Sequence, residues 1–119
     1  MSYVDGFVIP IEGDKLERYK ELAETACLVW KEHGALDYKE CVVDDDDIEG
    51  VRSFAEMSGA GEGDTVIFSY IVFKSREHRD EVNEKVMADP RIKEGCTPED
   101  MEFICKRMAY AGFRTIVEY

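Results

Sequence analysis

The chain holds two histidines, at positions 33 and 78. A histidine's ordinary pKa lies near neutrality, so His33 is the strongest candidate in the chain for general acid–base work. Its setting, Trp30-Lys31-Glu32-His33-Gly34, also fits a helix end, where the helix dipole favours a cation. Asp5 is the second candidate. It stands in a strand pattern beside Tyr3, Phe7 and Ile9. A carboxylate on an apolar face must be paired, reach solvent or shift its pKa. In a pocket it could orient a hydrogen-bond donor. Phe7, Trp30, Tyr38, Phe68 and Tyr70 are candidates for the wall around a small apolar or aromatic ligand. No spacing motif joins these residues into catalytic machinery.

Other motifs are excluded by spacing. Cys27, Cys41, Cys96 and Cys105 form no C-x-x-C pair, so zinc spacing is absent and free thiols are expected. The run Asp44–Asp47 lacks the alternating ligands, Gly and closing Glu of an EF-hand and reads as a solvated loop. Gly59-Ala60-Gly61-Glu62-Gly63 is not a phosphate loop and reads as a linker. No metal and no cofactor are expected. Lys106-Arg107 is the densest basic spot near a strand. It reads as charge compensation at a strand end, with small-anion binding as the alternative.

The 119 residues fit one domain, 1–119. A net charge of −12 repels phosphate backbones, which argues against nucleic acid, RNA included, and against anionic membranes as partners. No apolar run approaches the ~20 residues that span a bilayer. The N-terminal residues lack the basic and apolar regions of a signal peptide, so a cytoplasmic location is the default expectation.

The elements that must position the candidates follow from periodicity. Tyr3–Ile9 reads as a strand stopped by Pro10. A helix starts at Asp14, with Glu17 completing a capping box, and ends at Gly34. Leu16, Tyr19, Ala23, Ala26, Cys27 and Trp30 form its apolar stripe. Ala35–Val43 is a strand with one polar face, suited to a place nearer the sheet edge. A helical turn is expected around Val51–Met57. Asp64–Lys74 is a strand with two mostly apolar faces, rich in β-branched and aromatic residues. Ser75 caps a helix through Ala88 whose Asn83 reads as a surface or cap-network residue. Arg91–Asp100 reads as irregular, with Thr97-Pro98-Glu99-Asp100 a turn or a one-turn helix start. Lys106–Tyr119 reads as the last strand.

This order is that of the βαββαβ ferredoxin-like α+β fold: an antiparallel sheet, two helices on one face, and the first and third strands central. Phe7, Ile9, Phe68 and Tyr70 are assigned to the uncovered face. An apolar patch of that size favours a twofold homodimer with sheets face to face, a dimeric α/β barrel.

Several segments also resemble a known family. Tyr3–Pro10, Trp30–Leu36, Arg79–Arg91 and Lys106–Phe113 are similar to the YbaA-like bacterial proteins of unknown function. The resemblance covers nearly the whole chain. It implies a dimeric α+β barrel and no established activity. Three functional readings remain: a small-molecule binder, an enzyme like the cofactor-independent monooxygenases of similar fold, or a structural dimer without catalysis.

Overall fold

A computed structural model describes residues 1–119. Strands β1 (Tyr3–Glu12), β2 (Asp37–Val42), β3 (Asp64–Phe73) and β4 (Ala109–Arg114) form one antiparallel sheet in the order β2-β3-β1-β4. The first and third strands are central and β2 lies at an edge, as expected. Helices α1 (Leu16–Glu32) and α3 (Arg76–Met87) follow β1 and β3. Three short helices complete the chain: α2 (Phe54–Ser58), α4 (Pro90–Glu94) and α5 (Pro98–Cys105). Helix α4 falls in the stretch expected to be irregular, while α5 begins in the Thr97–Asp100 segment read as a turn or a helix start. No helix is long and apolar enough to cross a membrane.

Local chemistry explains most boundaries. Ser75 caps α3 by accepting the His78 backbone N–H at 3.1 Å. Thr97 and Asp100 exchange side-chain and backbone bonds in a capping box that starts α5. This helix delays the last strand, which begins at Ala109 rather than Lys106. Gly34 adopts φ +116° after α1, a conformation that suits glycine. The start of α1 departs from expectation. Asp14 lies in a short 3₁₀ turn, Gly13–Lys15, and no side chain caps the helix.

Pro10 does not stop β1, which continues to Glu12. The Ser2 carbonyl accepts from Thr115 N–H, so even-numbered residues of this strand aim their backbone groups towards β4. The pairing of β1 with β4 ends at Val8 and Ala109. The N–H that Pro10 lacks would have pointed at an unpaired edge, which is where a strand tolerates proline.

The assignment of faces needs one correction. Ile9 and Ile11 pack with Tyr19, Ala23 and Ile67 under α1 and α5, while Phe7 lies against this cluster and a second one built on Val29, Ile71, Phe73, Val82 and Val86. Phe7 and Ile9 therefore belong to the helix-covered face. Phe68 and Tyr70 stay on the opposite face, with Val4, Gly6, Val8, Val72 and Phe113 by register. The α2 segment covers one end of that face, where the Phe54 ring lies 6.0 Å from that of Phe68.

Candidate functional site

Two carboxylates face the layer between sheet and helices, one buried and one half-buried. The first is Asp5, only 1% exposed. Its Oδ1 accepts from Arg79 Nη1 at 2.8 Å, and its Oδ2 accepts from Tyr110 Oη at 3.1 Å and Asn83 Nδ2 at 3.4 Å. Arg79 also donates to Tyr110 Oη at 2.9 Å, and its guanidinium lies 5.0 Å above the Tyr3 ring. Burial and the Asp5 charge raise the Tyr110 pKa above the usual phenol range. Asp5 is thus paired, and the network joins β1, β4 and α3.

The second is Glu40 on β2. Tyr19 of α1 donates to its Oε1 at 2.6 Å, and Tyr38 donates to its Oε2 at 2.6 Å. These lengths are typical of a hydroxyl donating to a carboxylate. Burial, and next the Glu40 charge, hold both phenols protonated far above their ordinary range. Ser69 lies opposite Glu40 on β3 and is 3% exposed.

Glu40 lines a cavity of about 290 Å³ between α1, the sheet and the α4–α5 segment. Sixteen of its 21 lining residues are hydrophobic, so it suits an apolar occupant. Phe7, Trp30 and Tyr38 form part of its wall, and the rings of Trp30 and Tyr38 lie 6.0 Å apart. Asp5 stays outside but braces two wall residues. Tyr110, which bonds Asp5, stacks on Phe7 at 4.7 Å, and Asn83 accepts the Trp30 indole N–H at 3.0 Å.

The sequence candidates therefore divide. Phe7, Trp30 and Tyr38 meet in the cavity. Phe68 and Tyr70 are on the far side of the sheet and cannot reach it. His33 is also elsewhere: its Nε2 lies 2.9 Å from Asp89 at the end of α1, in a cluster with Arg91 and Glu32. Asp89 is held well below the usual carboxylate range, first by Arg91 and then by His33. His33 and Asp5 do not share a pocket. Glu40 and Tyr19 join the site without being among the sequence candidates. The signal was present: Glu40 alternates with Leu36, Tyr38 and Val42, a lone carboxylate on an apolar strand face, as Asp5 is.

Other candidates resolve structurally. Arg107 bonds Asp64 at 2.6 Å, the expected charge compensation. In the acidic run, Asp46 accepts the backbone N–H groups of Phe54 and Ala55 at 2.8 and 2.9 Å and so fixes α2. No three His, Cys, Asp or Glu side chains converge in a way that could hold a metal ion. All four cysteines are free thiols.

The sheet order, with the main helices on one face, defines a ferredoxin-like α+β protein. The chain belongs to the family described as protein of unknown function (DUF1428), whose model matches residues 2–105. It is 43% identical over 118 residues to the uncharacterized protein YbaA of Escherichia coli K12, covering 99% of each chain. The Shigella flexneri protein of the same description is equally similar, at 43% over 118 residues. Among solved structures, a dimeric ferredoxin-like protein from an uncultured marine organism superposes with a TM-score of 0.55 at 13% identity, covering 100% of both chains. That likeness carries the fold alone.

Proposed function

We propose that this protein is a cytoplasmic homodimer whose subunits each bind a small, mostly apolar or aromatic molecule between α1 and the sheet. The observation that carries the reading is the cavity itself: about 290 Å³, walled by Phe7, Trp30 and Tyr38, with the Glu40 carboxylate fixed at one end by two tyrosine hydroxyls. Small-molecule sites have this composition, and their volumes begin at about 300 Å³. With His33 outside the cavity, binding is favoured over histidine-driven proton transfer.

The dimer is supported by the other face of the sheet. Phe68 is 41% and Phe113 55% exposed there, beside Val4, Tyr70 and Val72. A second copy laid on this face removes the apolar surface from water and gives a closed two-sheet barrel, with Phe68 and Tyr70 inside.

The test is native mass spectrometry of protein purified without denaturant, followed by fluorescence titration of Trp30, the single tryptophan. A retained low-mass species that shifts Trp30 emission is expected. A bare protein mass, together with emission that no small apolar probe alters, overturns the pocket.

A further inference from the structure

We infer that the ligand of this cavity is an organic cation: a protonated amine on a compact, apolar or aromatic body. The inference rests on the binding-site reading above and adds the chemical class. None of the chain's ion pairs includes Glu40. The other charged residue lining the cavity, Arg91, is already paired with Glu32 and Asp89. Glu40 therefore brings a negative charge to an apolar wall with two neutral hydroxyls as its only side-chain partners. Glu40 is half-buried, and neutral donors offset only part of the cost of the hydration it has lost.

A carboxylate offers about four acceptor positions. Tyr19 and Tyr38 fill one on each oxygen, which leaves acceptor capacity for a third donor. Both phenol protons are committed to Glu40. The Glu40 end of the cavity thus presents acceptors, and an anionic ligand would meet like charge there. An ammonium group would gain a charge-assisted hydrogen bond and the faces of the surrounding aromatic rings.

The approach to Glu40 has the same sign. A groove of about 520 Å³ between α1 and β2 shares Tyr19, Ala23, Tyr38 and Glu40 with the cavity. Its other charged liners are Glu17, Glu24 and Lys20, so acidic groups outnumber basic ones. Within a chain of net charge −12, that surface attracts cations.

The experiment compares three probes of one shape on the intact protein: phenethylamine, phenethyl alcohol and phenylacetate. Binding is read from Trp30 emission and by calorimetry. The amine is expected to bind about tenfold more tightly than the alcohol, the worth of one charge-assisted hydrogen bond, with no binding of phenylacetate. Glu40→Gln should bring amine and alcohol to within about twofold of each other. Equal affinity of the wild-type protein for amine and alcohol, or a preference for phenylacetate, overturns the cationic class and leaves the pocket standing. Failure of all three to bind removes both. Wild-type selectivity decides the question even if the variant does not fold.

Discussion

Trp30 donates its indole N–H to Asn83 Oδ1 at 3.0 Å, a bond between α1 and α3 that ties the cavity wall to the buried Asp5. The Asn83 amide spends its oxygen on Trp30 and its nitrogen on Asp5. It is a bracket between a packing surface and a charge network, not the surface or cap-network residue that its place in the helix pattern predicts. Asn83→Leu keeps the branched side-chain outline and removes both bonds. The expected cost is about 1–3 kcal/mol, the usual penalty for unpaired half-buried polar groups. A lower urea midpoint with a displaced Trp30 emission maximum confirms it. An unchanged midpoint and spectrum refute the bracket.

Asp5 and Arg79 form the charged centre of that network, with side chains 1% and 13% exposed. Removing Arg79 leaves the Asp5 charge buried with only neutral partners, and removing Asp5 leaves Arg79 poorly solvated with Asp80 as its remaining ion pair. Asp5→Leu or Arg79→Met alone should cost about 3–5 kcal/mol. The double variant should recover much of the loss, since no lone charge then remains. Denaturant unfolding of the four proteins gives the coupling energy directly. Strictly additive single losses would show that the pair is not coupled.

The fold was legible because its signals are local. The strand alternation, the Ser75 cap and the Gly34 stop each act within a few residues, and together they set the order of elements. Which face of β1 is covered is not a local property. Its odd residues contain Asp5, a carboxylate that could be paired, reach solvent or shift its pKa. The carboxylate is buried because Arg79, 74 positions away, meets it. The role of Glu40 is hidden in the sequence for a related reason. Its partners lie on two different elements, 21 and 2 positions off, and only the packing of α1 on β2 brings Tyr19 to it. A carboxylate on an apolar strand face is readable from sequence. The donor that satisfies it is not.

The uncovered sheet face predicts self-association. Phe113 lies against Gly6, where an added Cβ would sit 3.0 Å from its ring. It is 55% exposed, so a charge there harms the subunit core little. Phe113→Glu should convert a dimer at micromolar concentration to a monomer in sedimentation velocity, with helix and strand content retained. Leu28→Glu, on an exposed position of α1, should leave the dimer intact. A wild-type protein that sediments as a 13.6 kDa particle at every concentration tested excludes the dimer.

Acid stability separates the paired aspartates from the rest. Arg107 lowers the Asp64 pKa from 3.8 to about 2. Asp89, beside Arg91 and His33, and Asp100, beside Arg18, are also held well below 3.8. All three bind a proton less readily folded than unfolded. As pH falls through 3.8, the unfolded chain takes up protons first, so the stability these groups contribute is present above that value and is lost on descent towards their folded pKa values. Protonating the many unpaired carboxylates works the other way, because it relieves the repulsion of a chain at −12. The informative quantity is therefore the difference between parent and variant. Asp100→Asn should lower the thermal midpoint at neutral pH, where the Arg18 pair and the α5 capping box are both intact in the parent. The gap between the two proteins should then narrow as pH drops below about 4, where the parent's own Asp100 begins to lose its advantage. A gap of constant size from neutral pH to pH ~2 would show that the Asp100 carboxylate charge contributes nothing to the fold.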